Sequence, residues 1–128
     1  RVSARQNLHD AVLGTGIPHI GKETDDHIKF TRHLQTAMSE TAGVRRWGTA
    51  SLDLCYVAAG RFDGFWERGL SPWDVAAGIV IVKEAGGFVT DIKGRAYTFN
   101  SPEIVASNEQ LQRKLLSMLK KSSPAEDA

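Results

Sequence analysis

Apolar positions along the chain switch repeatedly between two periods. Short apolar runs bounded by glycine alternate with stretches whose apolar residues recur every three or four positions, the spacing of one helix face. Residues 11–13 read as a short strand ended by Gly14-Thr15-Gly16. Residues 25–42 read as a helix with Phe30, Leu34, Ala37 and Met38 on one stripe and Gly43 as its C-cap. A second strand covers 44–47. A helix follows over 50–59, with Leu54, Val57 and Ala58 on one face and Gly60 as its stop. Residues 62–67 form a third strand, rich in aromatics.

The run Gly78-Ile79-Val80-Ile81-Val82 has the look of a buried strand, but its punctuation is helical. Ser71 suits an N-cap, Pro72 the first helical position and Gly86-Gly87 the C-cap, so residues 72–85 are predicted as a helix. Being apolar nearly all round, that helix is expected to be buried. Residues 88–91 and 104–106 read as strands, Lys93-Gly94 as a turn, and 95–99 as a local pairing partner. A last helix starts at the cap Asn108, with the stripe Leu111, Leu115, Met118 and Leu119 and lysines in its final turn. Strands alternating with helices predict an α/β fold, a mixed, largely parallel sheet flanked by helices. In such sheets ligands sit at the carboxyl ends of the strands.

Length and composition narrow the class without naming it. The 128 residues fit one domain over 1–121, followed by a polar tail, 122–128, that reads as disordered. With 41% hydrophobic and 24% charged residues and a net charge of +1, the chain is ordinary globular protein. Its basic residues are scattered, which indicates no nucleic-acid surface. No apolar run approaches the ~20 residues of a membrane span. A single cysteine, Cys55, excludes an internal disulfide framework and fits a reducing cytoplasm. The chain begins at Arg1 without a methionine, as a trimmed or incomplete chain would.

Candidate chemistry falls in the loops after predicted strands. Glu67 and Asp74 bracket a turn into a helix, and carboxylate oxygens suit Mg²⁺, a hard ion wanting oxygen ligands. Asp74 also has a structural explanation, because an acidic side chain three residues past an N-cap stabilises the first turn by ~0.3–1 kcal/mol. Gly48-Thr49 precedes a helix whose free N–H groups suit an anion or a hydroxyl, although an ordinary N-cap needs no more than this. Gly14-Thr15-Gly16 has the same character more weakly. Arg45-Arg46 suits a phosphate, a structural salt bridge or a subunit contact equally. His9, His19, His27 and His33 form no zinc spacing, and Cys55 lies mid-helix as a buried structural thiol.

One segment raises the specificity. Trp73-Asp74-Val75-Ala76-Ala77-Gly78-Ile79-Val80-Ile81-Val82-Lys83-Glu84-Ala85-Gly86-Gly87 closely resembles the C-terminal signature of the inositol monophosphatase family. Arg46-Trp47-Gly48-Thr49-Ala50-Ser51-Leu52-Asp53-Leu54 resembles that family's Gly-(Ser/Thr)-Ala-Ala segment, and the stretch from Tyr56 to Glu67 resembles its substrate-glutamate strand. Val105-Ala106-Ser107-Asn108 resembles its last strand and helix start, so the likeness covers roughly residues 11–119.

The resemblance implies the C-terminal portion of a layered α/β sandwich and a homodimer. It implies Mg²⁺-dependent hydrolysis of a small phosphate monoester, with inositol 1-phosphate favoured. Asp74 would be a metal ligand and catalytic residue close to a substrate hydroxyl. Glu67 would accept hydrogen bonds from inositol hydroxyls, and Gly48, Thr49 and Ala50 would line the ring. The family's other ligands come from a Glu-Glu pair and an Asp-Pro-(Ile/Leu)-Asp-Gly-Thr motif, neither of which occurs here. Ile17 stands where some members place a substrate-contacting serine. The chain is therefore expected to be inactive alone and to need the N-terminal half of the same enzyme. A relative acting on fructose 1,6-bisphosphate, a nucleotide bisphosphate or histidinol phosphate, and a non-catalytic binding module, stay open as alternatives.

Overall fold

The computed structural model describes residues 1–18 and 24–123. Within them a five-stranded sheet has the order β2-β1-β3-β5-β4, built from β1 (Val12–Thr15), β2 (Gly43–Arg45), β3 (Gly64–Arg68), β4 (Phe88–Thr90) and β5 (Glu103–Ser107). β1 pairs in parallel with β2 and β3, whereas β5 pairs antiparallel with both β3 and β4. β4 therefore points the same way as β1, β2 and β3, and β5 alone opposes them. The expected mixed sheet with one dominant direction is present. Residues 95–99 contribute a single antiparallel bridge, Thr90 to Ala96.

Helices cover both faces. α1 (Thr24–Glu40) and α4 (Glu109–Lys121) pack on one, and α2 (Ala50–Ala58) and α3 (Pro72–Glu84) on the other. The pleat explains how one strand serves both layers, since successive side chains point to opposite faces. On β3, Phe65 enters the α2–α3 layer and Trp66 the α1–α4 layer. On β5, Ile104 and Ala106 face the first layer and Val105 the second. The β1–α1–β2 crossover steps outward to one edge. The next crossover returns past β1 to β3, and its helix α2 lies on the opposite face. Crossovers of constant hand require this change of face when the chain reverses direction.

Several helix expectations hold in kind and shift in detail. Asn108 caps α4, its side-chain oxygen accepting from Leu111 N–H at 2.8 Å, and Leu111, Leu115, Met118 and Leu119 are buried as predicted. On α1, Phe30 and Ala37 are buried, but Met38 is 66% exposed. The buried stripe is turned toward His33, which is buried with Nε2 2.9 Å from Ser123 Oγ. A hydrogen-bonded polar side chain can occupy a core stripe that a search for apolar letters misses. Ser122 and Ser123, assigned from sequence to the tail, fold back onto carbonyls of the last α4 turn. Residues 124–128 of that tail, and His19, lie outside the described residues. Cys55 is half-buried rather than buried.

The helix α3 departs most. Val75, Gly78 and Val82 are buried, yet Trp73, Val80 and Ile81 are 82%, 58% and 43% exposed. One side meets the sheet and α2, while no described element covers the other. Gly78 sets how close α2 comes, because a Cβ there would stand 2.6 Å from Leu54 Cδ1 and 2.8 Å from Leu54 Cβ. Gly78→Val is expected to lower stability by ~1–3 kcal/mol through overpacking. The check is the denaturant midpoint at unchanged m-value, and a midpoint at or above that of the parent would show that this glycine does not limit the helix approach.

Candidate active site

Reversal of the chain between β2 and β3 brings three strand ends to one place. The segments after β1, β2 and β3 line a cavity of about 260 Å³, walled by Gly16, Arg46, Gly48, Thr49, Ala50, Glu67 and Asp74, with Ile17, Ser51, Leu70 and Trp73 around them. This is where an open α/β sheet is expected to bind a ligand, outside the carboxyl ends at the point where the strand order reverses. All five residues singled out from sequence line this cavity: Gly48, Thr49, Ala50, Glu67 and Asp74. At the end of β1, Thr15 Oγ1 donates to the Trp66 carbonyl at 2.8 Å, fixing β1 against β3 beside the cavity.

Each segment is shaped by local chemistry. Gly48 has φ 91°, a left-handed conformation that favours glycine and turns the chain into α2. Thr49 occupies the N-cap position, but its side chain makes no capping hydrogen bond. The ordinary N-cap explanation therefore covers its position and not its hydroxyl, which has no hydrogen bond among the described residues. Asp74 divides its carboxylate. Oδ2 accepts from the Ser71 N–H at 3.0 Å, the carboxylate arm of a capping box, so the structural explanation is true of one oxygen. Oδ1 has no hydrogen bond among the described residues.

Glu67 and Arg68 sit together at the end of β3 and face opposite ways, as pleating requires. Arg68 joins Asp26 of α1 at 3.3 Å and forms a short ion pair with Glu103 of β5. Glu67 turns into the cavity against Gly16, where an added Cβ would stand 2.1 Å from its carboxyl carbon and 2.3 Å from each oxygen. Only a glycine leaves that space. Burial pushes the Glu67 carboxyl up to about 7, Asp53 and Asp74 push it the same way, and Arg46 opposes them.

One lining residue carried a weak sequence signal, and one buried carboxyl that raises Glu67 carried none. Gly16 looked like a turn residue, and its use as a seat for Glu67 depends on contact across strands. Asp53, within the α2 sequence, gave no signal at all. It is 1% exposed, both of its carboxylate oxygens lack hydrogen-bond partners among the described residues, and burial pushes it up to about 6. Of the two adjacent arginines, Arg46 reaches the cavity, whereas Arg45 donates to its neighbour's carbonyl, Val44 O, at 3.2 Å. Neither forms an ion pair among the described residues.

A carboxyl that titrates higher in the folded state makes the fold less stable as pH rises, because the native state holds the proton that the unfolded chain gives up. Asp53, raised from 3.8 to about 6, corresponds to ~2 kcal/mol of stability lost between pH 4 and pH 8. The stability gap favouring Asp53→Asn over the parent is expected to widen by about that amount across this interval, measured by denaturant unfolding at each pH. A gap independent of pH would mean that Asp53 titrates at its ordinary value.

Comparison with known proteins finds matches along nearly the whole chain. Residues 1–123 match the model of the inositol monophosphatase family. The chain is 49% identical to an inositol-1-monophosphatase of Rhizobium meliloti strain 1021, over 98% of this chain and 46% of that protein. It is 52% identical to the crystal structure of the extragenic suppressor protein suhB from Bartonella henselae, with a TM-score of 0.88 over 94% of this chain and 45% of that one. The inositol monophosphatase of Anabaena sp. PCC 7120 superposes with a TM-score of 0.90 at 38% identity, covering all of this chain and 50% of that one. The chain thus spans about half the length of the curated relatives it matches. On sequence and fold, it belongs to the inositol monophosphatase family.

Proposed function

We propose that this chain forms the polyol-binding wall, and supplies one metal ligand, of a Mg²⁺-dependent phosphatase that converts inositol 1-phosphate to inositol and phosphate. The observation that carries the reading is the single cavity uniting Gly48, Thr49 and Ala50 with Glu67 and Asp74. Polar groups converge there from three strand ends, and hydroxyl-rich ligands need such convergence. Glu67, near 7, sits at a protonation boundary where its carboxyl can accept from a hydroxyl or donate to one. Gly48 and the first turn of α2 offer backbone groups to the ring. Asp74, whose Oδ1 has no hydrogen bond among the described residues, lines the same cavity.

Among the described residues no group of three or more His, Cys, Asp and Glu side chains is gathered to hold a metal ion. The donor set therefore fits one ligand position, at Asp74 Oδ1, and does not make a complete site. When bound, Mg²⁺ supplies a water of lowered pKa and neutralises charge developing on phosphate oxygens. The residues here orient the alcohol that leaves. On this reading the remaining ligands come from the other half of a longer chain, and the 128 residues alone release no phosphate. The exposed face of α3 supports a covering partner, and the full enzyme is read as a cytoplasmic homodimer.

The test uses the full-length protein with inositol 1-phosphate and with phenyl phosphate, which lacks ring hydroxyls. Glu67→Gln is expected to raise KM for the polyol ester roughly 3–10-fold and to leave the phenyl ester nearly unchanged. Asp74→Asn should lower kcat for both by roughly 100-fold or more and weaken the Mg²⁺ dependence. Gly16→Ala displaces Glu67 and should reproduce the Glu67→Gln pattern. Equal effects of Glu67→Gln on both esters would remove Glu67 from hydroxyl recognition, and an unaltered kcat in Asp74→Asn would remove the metal-ligand assignment.

A further inference from the structure

A groove of about 590 Å³ runs between the β4 edge and α4, and it shares no lining residue with the candidate active site. Glu109, Gln112, Arg113, Leu116 and Lys120 form its helical wall, at the three- and four-residue spacing of a single stripe on α4. Phe88 of β4 and Ile92 and Lys93 of the following turn stand across from them. Both walls are held by internal hydrogen bonds. Gln112 accepts from Ser107 Oγ at 2.6 Å and donates to Thr90 Oγ1 at 3.0 Å and to the Val105 carbonyl at 3.1 Å, tying α4 to β4 and β5. Asp91 Oδ1 accepts from the Lys93 and Arg95 N–H groups at 2.9 Å each, fixing the turn. A preformed groove of this kind loses little entropy when a ligand enters it.

Its charge is one-sided. Lys93, Arg113 and Lys120 are exposed on the walls against a single anion, Glu109, and none of the four forms an ion pair among the described residues. Neighbouring lysines on the same helix are used internally: Lys114 Nζ donates to the Gln6 carbonyl at 2.6 Å, and Lys121 meets Glu40 at 2.6 Å. Arg113 and Lys120 lie two turns apart, about 10 Å along the helix axis. Between them Leu116 packs against the core, and Phe88 presents an exposed ring from the facing wall. The sheet adds a backbone element. β4 ends the strand order, and among the described residues its outer edge pairs only through the bridge from Thr90 to Ala96. Such an edge offers N–H and C=O groups to an extended chain. A nucleic-acid backbone suits the groove less well, because Glu109 repels it and the apolar floor gives phosphates no partner.

We propose that the groove between α4 and the β4 edge docks an extended acidic peptide segment of a partner protein, one in which two acidic side chains flank an apolar one. Carboxylates of the segment meet Arg113 and Lys120, and the apolar side chain between them rests on Leu116 and Phe88. An extended chain covers about 10 Å in roughly three residues, so acidic residues two to four positions apart reach both cations. The pattern on the protein, cation then apolar floor then cation, is the complement of the pattern on the peptide. Because the cations are exposed, salt screens their attraction. The site uses neither Glu67 nor Asp74, so it stands or falls separately from the phosphatase reading.

The experiment uses the full-length protein and fluorescein-labelled nonapeptides, each with two glutamates flanking a leucine or phenylalanine at separations of two to four positions. Fluorescence anisotropy reads the binding. At least one peptide is expected to bind with a Kd of about 100 μM or below at low salt, and about fivefold or more weakly at roughly 0.5 M salt. The double substitution Arg113→Glu with Lys120→Glu should weaken binding about tenfold or more, and Phe88→Ser about threefold or more. Hydrolysis of phosphate esters should stay within about twofold in both variants, since neither touches the candidate active site. Where the double charge reversal fails to fold, Arg113→Ala with Lys120→Ala is judged by the same criterion. A set in which no peptide binds below about 1 mM would overturn the proposal, as would binding indifferent to the double substitution. A uridine oligonucleotide of equal charge that binds as tightly, and loses as much in the double variant, would show a polyanion surface instead of a peptide groove. A fall in the sedimentation mass of the double variant would assign the groove to a second copy of this chain and overturn the peptide assignment.

Discussion

The candidate site depends on a reversal in the sheet. β1 is flanked by β2 on one side and β3 on the other, both parallel to it, and the helices leading to those neighbours lie on opposite faces. A constant crossover hand allows no other arrangement once the chain has stepped out to β2 and must come back past β1. The segments leaving β1, β2 and β3 are thereby aimed at a common opening instead of being spread along one edge. The placing of Gly16, Gly48 and Glu67 in one cavity follows from that reversal. None of them is near another in sequence.

Within the opening, the balance of charge is unusual for a surface cleft. Carboxyl groups line it from β3 and the start of α3, and the one cationic side chain on the wall among the described residues, Arg46, is exposed. Each carboxyl meets a different local arrangement. Asp74 has one oxygen engaged in helix capping and Glu67 is seated on a glycine, while the buried Asp53 of α2 meets no donor among the described residues. Identical functional groups acquire different proton affinities when burial and neighbours differ, and this is how one cleft can divide its tasks among carboxyls. Arg68, next to Glu67, shows the opposite solution on the other face of the strand. There two carboxylates meet a guanidinium and α1, β3 and β5 are joined.

The same helix that carries Asp74 shows how far a half-length chain can satisfy itself. Its inner stripe packs through Gly78 against Leu54, while Trp73, Val80 and Ile81 stay open to solvent. A helix apolar on both sides is suited to lie between two layers. One layer is the sheet and the helix α2 described here. The relatives are about twice as long as this chain, and the open side of α3 is consistent with further protein packing there.

Sequence by itself determined the alternation of elements, the caps of α3 and α4, the α4 stripe, and the family likeness that singled out Gly48, Thr49, Ala50, Glu67 and Asp74. These are local matters: hydrophobic period, capping chemistry and turn glycines act within a few residues and are written in consecutive letters. Tertiary structure decided the rest. It turned the buried α1 stripe away from Met38 and toward His33, whose Nε2 lies 2.9 Å from Ser123 Oγ. It left one side of α3 exposed, made Gly16 a seat for a carboxylate 51 positions later in the chain, and buried Asp53 without a hydrogen-bond partner among the described residues. Contact, burial and charge coupling depend on distances across the sheet, and the order of residues along the chain does not contain those distances until the strands have paired.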